Sequence, residues 1–373
     1  MDLTGLMDAI GEAETSALGG LLIGAAFGAF AQRSRFCLRA AAVEFARGEI
    51  GIRVAIWLVT FSSAVFLTQA LIARDLLDVS EARQFAARGS LSGAIIGGAL
   101  FGCGMVLARG CASRLLVLSA TGNLRALLSG LIFAVAAEAS IHGILSPLRD
   151  RLAGLWTIGG RDSLDLLQAL HLPEGAGIAI GLAFVLGTVV LALRARLGPW
   201  GWIGAAGAGA TVAVGWWFTY QLATQAFTPM SVKSMTFTGP SADTLMVVLT
   251  PPGSNIDFDV GLVPGVFIGS ALAALIAREW HLEGFRDGHS MRRYILGAVL
   301  MGFGGMLAGG CAVGAGVTGG SIFALTAWAT LFAMWGAAGL TDLLVDRLPE
   351  HLAARRAVAR GHPAEAGRAP LAP

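Results

Sequence analysis

Charge is scarce in this chain. Of 373 residues only 13% are Asp, Glu, Lys or Arg, the net charge at neutral pH is +2, and Lys233 is the single lysine. So slight an imbalance provides no electrostatic footprint for nucleic acid, and none is expected as a partner. Cysteine is sparse as well. Cys37, Cys103, Cys111 and Cys311 show no Cys-x-x-Cys or Cys/His spacing, so neither a zinc site nor a thioredoxin-like pair is signalled, and disulfides have no support. The N-terminus has no basic stretch before an apolar run; Asp2, Asp8, Glu12 and Glu14 stand there instead, which argues against a cleavable signal peptide. No ATP-binding motif occurs, which argues against primary pumping, and nothing implies a cofactor.

What the chain has is apolar surface. With 55% hydrophobic residues and a mean hydropathy of +0.71, it holds more than a soluble core can bury, and it reads as an all-α polytopic membrane protein. Apolar runs near 17–32, 53–73, 90–108, 124–145, 176–195, 201–222, 259–277, 295–309 and 321–343 predict about nine transmembrane helices. The first and eighth are short of the roughly 20 residues a span needs and run into Arg- or Gly-rich sequence, as broken or re-entrant elements do.

The arginines assign direction. They cluster in 33–53, 194–200, 278–294 and the tail, so the positive-inside rule places these segments and the C-terminus in the cytoplasm. The N-terminus and the loop 223–258, with Asp243, Asp257 and Asp259, then lie outside. The expected setting is a bacterial inner membrane.

An offset of 200 lays Gly297, Leu300, Gly302, Gly304, Leu307, Ala308, Gly310, Cys311 and Ala312 on Gly97, Leu100, Gly102, Gly104, Leu107, Ala108, Gly110, Cys111 and Ala112. This is an internal duplication, and the odd number of spans between its copies makes it an inverted repeat. The implied organisation is an extracytoplasmic segment 1–16, a first half 17–145, a connecting region 146–200 with the middle span, a second half 201–345 and a disordered cytoplasmic tail 346–373.

Two interruptions carry the candidate chemistry: RGCASRLL with SATGNL (109–124), and GGCAVGAG with VTGGS (309–321). Helix N-termini at such breaks offer free N–H donors and partial positive charge to an anion. Thr121, Gly122 and Asn123, and likewise Thr318, Gly319, Gly320 and Ser321, have N-cap chemistry before an apolar run. The alternative is that these glycines only permit close helix packing. Cys103, whose counterpart is Phe303, fits a buried core position. Cys37, Cys111 and Cys311 sit at or beside breaks, where a thiol serves as nucleophile, soft-metal ligand or weak S–H donor.

The motifs RSRFC (33–37), LARGCA (107–112), SMTFTGP (234–240) and MLAGGCAVG (306–314) resemble the YeeE/YedE family of membrane transporters, across about residues 17–343. The resemblance implies an hourglass-like protein that takes up thiosulfate, with Cys37, Cys111 and Cys311 as its functional cysteines. It also implies delivery to a TusA-like sulfur carrier, and some members are associated with selenium-containing compounds.

The expected pathway runs from Lys233 and Thr238 through Cys311 and Gly310 to Cys111 and Gly110, then Cys37, with Cys111 and Cys311 acting as neutral thiols. Lys233 is either an anion-attracting point charge at the outer mouth or a solvated residue. Arg109 and Arg114 either receive the anion or only set topology. Glu138 and His142, one turn apart, read as a structural pair, with proton coupling as the sharper alternative. The rival functions are transport of a soft metal ion and membrane thiol oxidoreduction.

Overall fold

The computed structural model describes residues 3–80, 82–86, 89–159, 164–173, 175–250, 256–284 and 288–349. Most of the expected C-terminal tail, from residue 350 on, lies outside them. In chain order the helices are α1 (Thr4–Ile10), α2 (Glu12–Ser34), α3 (Leu38–Ala46), α4 (Ile52–Ile72), α5 (Arg83–Ala86), α6 (Gly98–Leu107), α7 (Ala112–Ala120) and α8 (Leu124–Ile141). They continue with α9 (Ser146–Ala153), α10 (Leu166–Ala169) and α11 (Ala176–Arg194). The last are α12 (Pro199–Gln225), α13 (Thr238–Leu249), α14 (Phe258–Ile276), α15 (Gly288–Leu307), α16 (Gly319–Ser321) and α17 (Leu325–Asp342). Wider π turns precede α6 (Gly93–Gly97) and α16 (Ala312–Thr318). The sheet among the described residues is one antiparallel ribbon, Gly89–Ser90 against Thr157–Ile158.

Each of the nine expected apolar runs falls on a helix. Among the described residues seven segments are long and apolar enough to cross a membrane, and an eighth is the pair Met291–Leu307 and Ala312–Ser321, bent by 41°. The expected number of nine is reached only if α12 is included. Its 27 residues extend about 40 Å at 1.5 Å each, but its glycines, tryptophans and threonines lower its hydropathy and leave it outside that set. The runs α3, α7 and α13 have 9, 9 and 12 residues, too short to cross about 30 Å.

Small residues decide the packing. In α2 and α14 glycines recur every fourth position and interleave: a Cβ on Gly20, Gly24 or Gly28 would fall 2.1–2.4 Å from the carbonyl oxygens of Phe258, Leu262 or Val266. In return, a Cβ on Gly261, Gly265 or Gly269 would meet those of Ala17, Leu21 or Ala25 at 1.9–2.2 Å. Lipid provides no hydrophobic drive between helices, so such backbone proximity and its dispersion contacts hold the pair.

Helix contacts come in exchanged pairs, the pattern expected of the inverted repeat read from the sequence. α2 packs on α14 while α12 packs on α4, and α6 packs on α17 while α15 packs on α8. α6 and α15 meet each other antiparallel, Gly97 against Gly304 and Gly104 against Gly297. α1 folds back on the end of α12, burying Leu3 and Met7 against Leu222.

A side chain in the α2–α14 seam has nowhere to go. Gly265→Leu is expected to lower stability by about 2 kcal/mol or more, read as a drop in thermal midpoint in detergent. Gly130→Leu, at a position with nothing within 4 Å, is expected to leave the midpoint unchanged.

Candidate functional site

Three cysteines occupy the same place in the same backbone device. A helix ends in a left-handed residue, Arg35 (φ 56°), Arg109 (φ 56°) or Gly309 (φ 80°). The next N–H reaches back five residues, Phe36 to Ala31 (3.2 Å), Gly110 to Met105 (3.0 Å) and Gly310 to Gly305 (2.8 Å). This is a Schellman closure, which satisfies carbonyls that the helix end would orphan. The cysteine that follows is extended and heads a new short helical run: Cys37 before α3, Cys111 before α7, Cys311 before Ala312–Thr318. Glycine adopts the left-handed turn freely; arginine does so at a cost of roughly 1–2 kcal/mol. Two of the three turns thus hold a cation where glycine is the easier residue.

The thiols are buried, with Cys37, Cys111 and Cys311 9%, 1% and 0% exposed, and they form two groups. Cys37 and Cys111 face each other within interaction range, and Ser113 Oγ lies 3.5 Å from Cys111 Sγ. Cys311 Sγ accepts the N–H of Phe237 at 3.3 Å and of Gly314 at 3.4 Å, with Thr236 Oγ1 at 3.9 Å. Its lone pairs are engaged by backbone donors, so its S–H is left to donate. Phe27 on α2 is fully buried, and its ring centroid lies 6.3 Å from that of Phe36 and 5.4 Å from that of Phe237. One aromatic side chain therefore stands between the neighbours of both thiol groups.

The two ends of the bundle differ in charge. Beyond Cys37 and Cys111, Asp342 is held by Arg47 through two bonds of 2.8 and 3.1 Å and by Arg347 at 3.4 Å. Asp346 is held by Arg293 at 2.8 and 3.1 Å, and Glu279 by Gln32, Arg33 and Arg35. At the other end Lys233 Nζ bonds Asp257 at 2.5 Å and Asp259 at 2.7 Å. Carboxylates on both sides neutralise it, so of the two readings left open by the sequence it is neither a free anion-attracting charge nor simply a solvated residue. Asp243 lies nearby, and burial, with Asp259 and Asp257, pushes its carboxyl up to about 6.

The model of the sulphur transport family matches residues 33–340. The chain belongs to that family. It is 25% identical over 331 residues to the thiosulfate transporter TsuA of Spirochaeta thermophila, covering 85% of this chain and 96% of that protein. It is 27% identical over 325 residues to the thiosulfate transporter TsuA of Escherichia coli, covering 80% and 86%. As a member of the sulphur transport family it is a multi-pass membrane transporter rather than an enzyme.

Within this family member, the sequence-derived candidates divide. Gly110 and Gly310 close the turns before their cysteines, and Thr238 opens α13 with its hydroxyl buried and unpartnered. Thr121, Gly122 and Asn123 lie at the far end of α7, about 13 Å along the helix from Cys111. There Asn123 caps α8 by accepting from Ala126 N at 2.9 Å, and its amide donates to Glu283. Thr318, Gly319 and Ser321 are not N-caps. They lie inside the helical run that Cys311 already opened, and the next cap position is Ala324, without a side-chain bond. Thr318 Oγ1 instead donates to the Met235 carbonyl at 2.6 Å. Glu138 and His142 pair at 2.9 Å with His142 largely exposed. Cys103 accepts from Thr341 Oγ1 at 3.2 Å in the helix packing. Among the described residues no three His, Cys, Asp or Glu side chains stand close enough to hold a metal ion.

Sequence reading missed Phe27, Thr236, Phe237 and Gly314. Phe237 and Gly314 act through their N–H groups, which leave no signature in residue type; Thr236 was passed over for Thr238 in the same motif.

The adjacency of Cys37 and Cys111 is checked by copper-phenanthroline oxidation. In a Cys103→Ala background, a Cys37–Cys111 disulfide is the expected peptide-mapping product, and a Cys111–Cys311 disulfide is not.

Proposed function

We propose that this protein takes up thiosulfate, or a closely related sulfur anion, across the bacterial inner membrane along a path lined by Cys311, then Cys111 and Cys37. The observation that carries the reading is the repeated device of a buried thiol at the head of a short helix, placed on both sides of Phe27. A dianion cannot enter hydrocarbon bare. Helix N-termini and S–H groups offer donors in place of water, and weak donors in series hold the ion without trapping it.

The exchanged helix contacts support an inverted repeat whose halves narrow to an hourglass at the thiols. The charge difference between the ends supports a periplasmic acidic end with the N-terminus outside, and a cytoplasmic arginine-rich end. A cavity of about 180 Å³ against Gly309 and Gly314, which flank Cys311, fits an outer approach. A TusA-like carrier would receive sulfur at the arginine-rich face. A selenium-containing oxyanion fits the same donors.

Growth tests the reading. In a strain without other thiosulfate uptake, the wild-type chain is expected to support growth on thiosulfate as sole sulfur source; Cys111→Ala and Cys311→Ala are expected to abolish it. Equal growth of the variants would refute the cysteine pathway.

Acidity supplies a second test. Above about pH 6 Asp243 is charged and repels an approaching dianion; below it the cluster with Asp257 and Asp259 loses one negative charge. Uptake is expected to rise severalfold as external pH falls from about 7.5 to about 5.5. Asp243→Asn is expected to flatten that part of the profile by raising the rate at the higher pH.

A further inference from the structure

Among the described residues, two arginines with buried donors beside the paired thiols are left over when the charges at that end are matched. Arg39 is the second residue of α3, two places after Cys37, and Arg114 the third residue of α7, three places after Cys111. Both lie within electrostatic range of Cys37, and Arg114 also of Cys111. The Nε of Arg39 and the Nη1 of Arg114 are buried with no hydrogen-bond partner among the described residues. A buried charged donor without a partner is costly, and the cost is removed when a ligand occupies it.

The carboxylates nearest these arginines are taken by other cations. Around Arg39 these are Asp342 and Asp346, with Arg109 as a further cation; the first is held by Arg47 and Arg347, the second by Arg293. Around Arg114 the neighbours are Glu279 and Arg35, and Glu279 is already held by Arg33, Arg35 and Gln32. The remaining positive charge has no acid of the described protein bonded to it.

We propose that Arg39 and Arg114 form an oxyanion-binding subsite on the Cys37–Cys111 side of Phe27, which takes the sulfonate oxygens of thiosulfate while its terminal sulfur faces the two thiols. This rests on the transport reading above. It divides recognition between hard and soft donors: guanidinium forks match the oxygens of a tetrahedral anion, and thiols suit its polarisable sulfur. It also places a concentrated positive charge on the Cys37–Cys111 side of Phe27, so an ion arriving from the Cys311 side meets a more favourable site ahead than behind.

The test uses the full-length protein in detergent and in proteoliposomes. Thiosulfate is expected to slow phenylglyoxal modification of Arg39 and Arg114, mapped by peptide mass, while leaving modification of Arg35, whose side chain is 74% exposed, unchanged. Arg39→Gln and Arg114→Gln are expected to weaken thiosulfate binding roughly tenfold to hundredfold, and Arg114→Lys to restore part of it. If the wild type binds and carries thiosulfate but both arginines are labelled equally with and without it, the subsite is overturned and the transport reading stands. If the wild type neither binds nor carries thiosulfate, both are overturned. Should the glutamine variants fail to insert, protection of the wild type decides alone.

Discussion

Hydrocarbon offers no partner to an open N–H or C=O group, so a helix can break at membrane depth only where the protein itself completes the hydrogen bonds or lines a cavity with them. The three cysteine turns meet this condition by the same closure, a left-handed residue and an N–H reaching back five residues. Each break is then enclosed by protein. Two of the flanking turns hold arginine where glycine costs less, as do the helix ends at Arg196 and Arg278.

That enclosure depends on close helix approach, and the approach depends on glycine. The interleaved seam of α2 and α14 brings α2, and with it Phe27, beside Phe237 and the N–H that holds Cys311. The antiparallel meeting of α6 and α15 at Gly97, Gly104, Gly297 and Gly304 sets the Cys111 and Cys311 turns at opposite ends of one helix pair. Packing and chemistry are therefore not alternative explanations of the glycines. Those within helices bring backbones together, and Gly309, Gly110 and Gly310 shape the turns that aim the thiols.

The charges follow a similar division of labour. At the acidic end Lys233 is held between Asp257 and Asp259, and Asp243 gains a proton more readily than an ordinary aspartate. At the other end most carboxylates and arginines cancel in specific pairs, with Asp342 1% exposed between Arg47 and Arg347. A buried pair of this kind adds little net stability, but it fixes which arginines remain uncommitted. On the proposed pathway a dianion would meet a repelling approach that protonation softens, and an attractive interior.

Much was determined by the sequence alone. Apolar runs located the long helices because span length is set by bilayer thickness, although two of them start earlier than expected, at Glu12 and Gly288. The 200-residue offset lays Cys111 on Cys311, and the glycine-rich sequence beside them marked two of the three breaks. What only the tertiary structure decided concerns partners distant in the chain: that Cys37 meets Cys111, that Phe237 rather than Thr238 touches Cys311, that Phe27 stands between the two groups, and that Lys233 is neutralised while Arg39 and Arg114 are not. Residue type records what a side chain can do, but not which other side chain has already satisfied it. That is settled only when helices far apart in sequence are brought within hydrogen-bonding distance.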